Sequence, residues 1–193
     1  EQVDNKLNGI AFELIGKGKD LAADLGKEVT AVLCGSNIGD LAAELGAYGA
    51  DRVIVVDDPA LDVYMTEPYT HALASVINEF KPEIILLGAT HIGRDLGPRV
   101  AKRTTTGLTA DCTHLDYDTD KYMEFLSTVT TAKVPEQRVE ANKDNLKMTR
   151  PAFGGNLMAT IICPATRPQM ATVRPGVMAK AEKDTSRKGE VIN

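Results

Sequence analysis

Tryptophan is missing from this 193-residue chain, and aromatic side chains make up only 5% of it. A platform that stacks the bases of a single strand needs aromatics in series, so that mode of nucleic-acid binding is excluded. A basic excess is missing too. Lys and Arg number 22 against 27 Asp and Glu, for a net charge of −5, whereas a phosphate backbone calls for a basic face. No apolar run approaches the ~20 residues of a membrane helix, and no signal or transit peptide is visible. Neither a nucleic acid nor a membrane is expected as a partner. Cysteine is scarce: Cys34, Cys112 and Cys163 are widely spaced and odd in number. They offer no disulfide framework and no CxxC metal site, which fits a reducing, cytoplasmic compartment. Only three histidines are present. His71 and His114 look incidental, and His91 alone does not make a metal centre.

What is present is the composition of a globular domain, 43% hydrophobic and 25% charged. Apolar residues at helical spacing predict a helix over 9–25, closed by Gly26. A β-branched strand follows at 28–34. A second helix carries Ile38, Leu41, Ala42 and Leu45, with Ser36 or Asn37 as its cap and Gly49 as its stop. Arg52–Val56 reads as a strand buried on both faces of a parallel sheet. The next helix has Pro68 in its first turn, with Ala72, Leu73, Val76, Ile77 and Phe80 inward, and ends at Pro82. Glu83–Leu87 is another apolar strand, and a loop over 88–93 leads to a helix at roughly 94–103 with Pro98 near its first turn. Strand and helix alternate three times. That predicts an α/β, three-layer architecture: a mostly parallel sheet with helices on both faces, typical of nucleotide-binding-like domains. The first helix has no strand ahead of it, so a βαβ unit lacks its opening strand.

After residue 107 the pattern changes. Leu108–Asp116 and Tyr122–Val129 read as strands, 130–149 as a charged surface excursion, and Leu157–Cys163 and Gln169–Val173 as strands again. Residues 179–193 hold seven charged side chains and read as a tail or linker. The expected division is a domain over 1–178 and a charged linker over 179–193.

Three segments are candidates for chemistry. Gly88–Asp95 lies at the carboxyl end of a strand and opens a helix, where ligands bind in open α/β sheets. Its free N–H groups suit an anion, with Thr90, His91 and Arg94 at hand. The alternative is an ordinary capped turn with Asp95 stabilising the first helical turn, and it is the one favoured on spacing alone, since neither Walker A nor GxGxxG is present. Thr104–Thr113 places five hydroxyls around Gly107, including Thr106 and Thr109. A phosphate or flavin edge fits them, as does a turn whose hydroxyls bond the backbone. Cys112 has no base beside it and reads as a buried structural thiol. Arg150–Asn156 presents an arginine held extended by Pro151, next to Gly154–Gly155, and is echoed by Arg167–Pro168 and Arg174–Pro175. Such a guanidinium suits a carboxylate, a phosphate or a reduced flavin's negative charge; a plain surface loop is the alternative.

Taken together, Leu86–Val100, Thr106–Thr113, Thr149–Asn156 and Arg167–Met178 resemble the alpha subunit of electron transfer flavoprotein. Glu1–Gln2 and Glu13–Gly18 fit its start, so the resemblance runs across nearly the whole chain. It implies pairing with a beta subunit of similar fold and electron traffic between a donor and an acceptor, often an acyl-CoA dehydrogenase. It implies FAD in a C-terminal domain of the alpha subunit. The beta subunit holds AMP in simple members. In bifurcating members it holds a second FAD that NADH reduces, with ferredoxin or flavodoxin as one acceptor. Family members open with an apolar strand ahead of Glu1 and carry the FAD domain beyond Asn193. Neither is in this chain, and the stretch over 119–147 is longer than the family leads one to expect. The expectation is therefore a domain of a longer subunit.

By resemblance, Arg150 is the first candidate for a residue near the beta-bound flavin, where positive charge favours an anionic reduced or semiquinone state. Thr90, His91, Arg94, Thr106, Gly107 and Thr109 are candidates for its surroundings or for NADH docking. Asp57–Ala60 and Thr66–Tyr69 look most like anaerobic bacterial members, which favours bifurcation. The alternatives are a simple electron transfer flavoprotein serving acyl-CoA dehydrogenases, a stand-alone adenine-nucleotide module binding through Gly88–Asp95, and a purely structural domain covering the beta subunit's face.

Overall fold

The structure is a computed structural model that describes residues 1–131 and 133–193. Near the start, β1 (Gln2–Val3) and β2 (Lys6–Leu7) form a two-stranded antiparallel ribbon. Helix α1 spans Gly9–Leu25 as the apolar spacing requires. Asn8 caps its start, and Gly26 ends it in the left-handed conformation that glycine tolerates. Strand β3 (Thr30–Gly35), helix α2 (Ala42–Ala47) and strand β4 (Arg52–Asp57) follow. Neither Ser36 nor Asn37 caps α2. A short 3-10 turn, Gly39–Leu41, precedes it, and the Asp57 carboxylate at the end of β4 accepts the backbone N–H groups of Asn37 and Ile38 at 2.7 and 3.0 Å. Asp57 thus holds the turn between β3 and the 3-10 segment, and no side chain caps α2 itself.

Helix α3 (Thr66–Phe80), strand β5 (Ile84–Gly88) and helix α4 (His91–Arg103) complete the alternation. Two expectations change here. Phe80 is exposed, and the small residues Thr70 and Ala74 are buried in its place. Helix α4 begins three residues earlier than expected, so Pro98 lies inside it rather than in its first turn.

Strands β6 (Leu108–Cys112) and β7 (His114–Asp116) match one predicted strand, broken at Thr113. The predicted strand at Tyr122–Val129 is instead helix α5 (Thr119–Val129). Asp118 caps it through the N–H groups of Asp120 and Lys121. Phe125 stacks on His114 of β7 with ring centroids 3.6 Å apart, which fastens α5 to the domain. After α6 (Glu136–Glu140) the chain turns inward. Leu146, Lys147 and Met148 are buried, so the far end of the predicted surface excursion is core. Lys147 is accommodated because its ammonium donates to the carbonyls of Tyr117 and Lys143. Ala132, within that excursion, lies outside the described residues.

Strand β8 (Lys147–Ala152) pairs antiparallel with β7 and with β9 (Leu157–Ile161), in the order β7-β8-β9. Strand β10 (Gln169–Val173) is buried throughout and runs parallel between β5 and β6. Strand β11 (Glu190–Ile192) adds to β4, giving the order β11-β4-β3, all parallel. The architecture is α/β as expected, with helices flanking parallel strands, but the parallel strands fall into two groups of three.

Between the groups, β3 and β5 present facing edges that no described strand joins. A cavity of about 900 Å3 lies there, lined by Leu14, Leu21, Ala31, Leu33, Ile84 and Leu86. It sits where the alternation asks for a strand ahead of α1. Glu1 and Gln2 lie along its wall, with the Gln2 amide donating to the Cys34 carbonyl. Burial pushes the Cys34 thiol's pKa up to about 11.

The segment 179–193 is charged and mostly exposed, yet its backbone is docked. Ala181 N–H donates to Phe12, Asp184 N–H to Ala47 and Glu190 N–H to Asp51. Glycines admit it: a Cβ on Gly46 would stand 2.5 Å from the Gly189 nitrogen, and one on Gly16 2.6 Å from the Ala179 oxygen. Gly46→Ala should therefore lower stability by about 1–3 kcal/mol and expose 179–193 to protease. Gly39→Ala, which meets nothing within 4 Å, should stay within about 0.5 kcal/mol of the parent. Denaturant melts and limited proteolysis check both.

Candidate functional site

The carboxyl ends of β5, β10 and β6 open onto the start of α4, the crevice position at which open parallel sheets bind ligands. At β5, the turn into α4 is tight. Thr90 caps the helix, its hydroxyl accepting the Gly93 N–H at 3.1 Å. Gly93 packs so closely on the Gly88 carbonyl that a Cβ would lie 1.8 Å from its oxygen. Ala89 N–H donates to the Val173 carbonyl at 2.7 Å, which ties the turn to β10. The Thr90 hydroxyl also donates to the Glu1 carboxylate, whose other oxygen accepts the Asn8 amide. A carboxylate of the chain itself thus stands where the helix N-terminus favours an anion.

Arg94 reaches sideways from α4. Its Nε donates to the Ala89 carbonyl at 2.8 Å and its Nη2 to Asp111 at 3.3 Å. Asp111 is the hub. It sits at positive φ (62°) beside the register shift between Ala171 and Val173, and its N–H donates to the Thr172 hydroxyl at 2.9 Å. Its carboxylate takes both Nε and Nη2 of Arg174, at 3.2 and 2.6 Å, a forked geometry that fixes the guanidinium. The Arg174 guanidinium, with Arg94 and Arg150 behind it, holds the Asp111 carboxyl below the usual carboxylate range. The turn after Arg174 is anchored by Glu13 of α1, a buried carboxylate that accepts the N–H groups of Gly176 and Met178.

Arg150 arrives from β8. Pairing with β7, and the bond from Thr113 N–H to the Thr149 carbonyl, brings it beside the end of β6. Pro151 is tolerated in this central strand because β7 ends opposite Thr149 and leaves that edge open. The charge of Arg150 is felt by both Asp111 and Cys112. Its guanidinium is half-buried and makes no hydrogen bond or ion pair among the described residues. Nearby, the buried Thr113 hydroxyl also lacks a partner.

Thr90, Arg94 and Arg150 thus converge on one edge, with the exposed His91 opening α4 beside them. Thr106 and Gly107 do not join them. They precede β6, at the opposite end from Asp111, roughly 13 Å along the strand. The Thr106 hydroxyl is engaged with Thr166 and the Pro168 carbonyl. Thr109 is buried within β6. Asp111, Arg174 and Glu13 are the members that motif reading left out. The signal for the first two was an acid and an Arg-Pro pair, each at the carboxyl end of a predicted strand. No group of metal-ligating side chains occurs among the described residues. Cys112 is no nucleophile: burial pushes its thiol up to about 12, with Arg150 only partly opposing. For Cys163 burial raises the pKa, but hydrogen bonds from Thr166, Gly107 and Thr106 outweigh it and leave the thiol below its ordinary value.

Fold and site together define an α/β domain with a cluster of arginines around one carboxylate at its strand ends. The electron transfer flavoprotein domain matches residues 1–193, and the chain belongs to that family. It is 57% identical over 182 residues to the acryloyl-CoA reductase electron transfer subunit beta of Anaerotignum propionicum, covering 94% of this chain and 50% of that one. It is 49% identical over 192 residues to the electron transfer flavoprotein subunit alpha of Thermoanaerobacterium thermosaccharolyticum, covering 100% and 51%. It is 42% identical over 191 residues to the lactate dehydrogenase (NAD(+),ferredoxin) subunit LctC of Acetobacterium woodii, covering 99% and 40%. The chain spans about half the length of the curated relatives it matches. No helix among the described residues is long and apolar enough to cross a membrane.

Two measurements follow from the electrostatics. A limiting thiol reagent near pH 8 should label Cys163 well before Cys34 or Cys112, as read by peptide mass spectrometry. For Asp111 the folded-state pKa is depressed, so its pairing with Arg174 stabilises above the unfolded value of about 3.9 and is lost as pH falls through the folded value. The stability gap between the parent and Arg174→Gln should therefore be widest near neutrality and narrow in acid, as read by urea melts across pH.

Proposed function

We propose that this chain is the N-terminal domain of an electron transfer flavoprotein alpha-type subunit, which pairs with a beta subunit to pass electrons between NADH or a dehydrogenase and an acceptor. The reading is carried by one observation: Arg150 is an unpaired guanidinium at the carboxyl ends of the parallel strands, beside an Asp111 already engaged by Arg174 and Arg94. Two of the three arginines have a carboxylate, and the third makes no ion pair among the described residues.

A flavin held by the beta subunit fits that position, because its reduced form is anionic and Arg150 supplies the opposite charge. When bound, such a flavin supplies one- and two-electron transfer. This chain's share is to set the charge beside it. Thr90 and Glu1 close the α4 turn, and Asp111 holds Arg174 and Arg94 in place. A stand-alone nucleotide module working through Gly88–Asp95 has less support, since Glu1, Thr90 and Arg94 fill that turn. The flavin-bifurcating form of the reaction is favoured by the LctC relative, whose name joins NAD(+) with ferredoxin. Ferredoxin or flavodoxin, and an acyl-CoA dehydrogenase or related enzyme, are then the outside partners. The segment 179–193 serves as the linker toward an FAD domain.

The test is the reconstituted complex with its beta subunit. Arg150→Ala should lower the potential of the beta-bound flavin by tens of millivolts, a tenfold loss of stabilisation being about 30 mV for a two-electron couple. Arg150→Lys should restore most of it. An unchanged redox titration would remove Arg150 from the role. Two flavins per complex would support bifurcation, and one flavin with AMP would support the simple carrier.

A further inference from the structure

Helix α4 departs from the charge of the rest of the chain. Its 13 residues carry Arg94, Arg99, Lys102 and Arg103 against one acid, Asp95. The whole chain has 22 Lys and Arg to 27 Asp and Glu. All five of these side chains are exposed, together with His91 and Pro98, and the remaining residues of the helix are buried or, for Ile92, half-buried. The helix thus turns one charged stripe to solvent, about 20 Å long at 1.5 Å per residue. No large apolar side chain is exposed on it.

The helix's own needs explain only part of the stripe. Lys102 and Arg103 stand in the last turn, where positive charge complements the helix dipole. Arg94 and Arg99 lie ahead of that turn. Acids on neighbouring elements do not balance the far half of the helix either. Asp95 accepts the hydroxyls of Tyr64 and Thr66. Glu67 of α3 serves both Arg99, at 3.7 Å, and Arg103. Lys102 makes no ion pair among the described residues. Three cations therefore share one carboxylate. Between α3 and α4 the side chains of Thr70, Arg99, Lys102 and Arg103 wall an open cleft of about 290 Å3.

We propose that the outward face of α4 is the docking surface for a small acidic redox protein, with the cleft beside Thr70 receiving one of its carboxylates. This rests on the reading above and deepens it. Charge complementarity and the absence of an apolar centre select the occupant. A permanent subunit contact has an apolar core, which this face lacks. An electron carrier must arrive quickly and leave again, so its encounter is small and steered by charge. The stripe is also continuous with the site. Its first arginine, Arg94, bonds Asp111 through Nη2 at the carboxyl ends of the strands. A carrier lying along α4 therefore has one end at the edge where the flavin is proposed and the other over the cleft.

The experiment uses the subunit at its natural length, co-produced with its beta subunit, and ferredoxin as the probe. The double variant Arg99→Gln/Lys102→Gln should weaken ferredoxin binding about fivefold at low ionic strength by calorimetry, and the difference should vanish in high salt. Lys102→Arg should bind as the parent does. The same loss of charge elsewhere, Lys27→Gln/Lys188→Gln, should stay within about twofold of the parent, which separates this face from net charge. The double variant should melt as the parent does and keep its flavin content. A flavin-loaded parent complex that binds ferredoxin no more tightly than Arg99→Gln/Lys102→Gln does, at any salt, would overturn the docking surface alone. A parent that forms no complex with the beta subunit, or holds no flavin, would overturn the functional reading with it. Variants that lose affinity for an acyl-CoA dehydrogenase and not for ferredoxin would overturn the choice of occupant.

Discussion

Strand β10 is the constraint that the other elements are arranged around. Every residue of Gln169–Val173 is buried, and neither β5 nor β6 has another parallel partner among the described residues. Its side chains extend the tie beyond the sheet. Gln169 accepts the Leu146 N–H at 2.8 Å and donates to Glu83 at 3.2 Å, which fixes the chain just before β8 at the amino end of the sheet. Thr172 accepts the Asp111 N–H, which fixes the kink at the carboxyl end. An element near the end of the chain thereby sets the spacing of strands some sixty to eighty-five residues earlier. The site at their carboxyl ends exists only once that pairing has formed.

The charges at that edge follow from the same pairing. Arg174 is the first residue past β10, Asp111 the penultimate residue of β6, and Arg94 lies one turn into α4. Bringing the three strand ends together brings one carboxylate within reach of two guanidinium groups, and Arg150 enters from the antiparallel sheet as a third. At Asp111 itself one carboxylate faces three guanidinium groups, a local excess of positive charge with the Glu1 and Glu13 carboxylates at the neighbouring turns, in a chain whose net charge is −5. Partial burial makes such an excess felt more strongly than at an open surface. A group that brings negative charge is the complement.

The alternation of strand and helix through residue 103 was legible because each element carries its own periodicity and its own stop, such as Gly26 after α1. The losses came where a partner distant in sequence decides the outcome. Tyr122–Val129 has strand-like composition, but Asp118 caps it and His114 gives Phe125 a ring to stack on, so it coils. Lys147 reads as solvated until carbonyls of Tyr117 and Lys143 surround its ammonium. Arg150 could be singled out because proline and glycine flank it. Its lack of a carboxylate could not be, because Asp111 and Arg174 meet only through β10. The Thr104–Thr113 hydroxyls allow two readings from sequence, because polar residues near a strand are as useful to the strand's own backbone as to a ligand; the Thr106 hydroxyl bonds Thr166 and the Pro168 carbonyl.

Helix α1 explains how two separate groups of strands hold together across the cavity. Ala11 and Ile15 pack into the cluster built on β3 and β4, while Leu21 packs into the cluster built on β10, β6 and β8. Glu13, on the same helix, grips the turn after β10. The helix is a brace over the gap, and Gly16 lets the 179–193 segment cross it closely from outside.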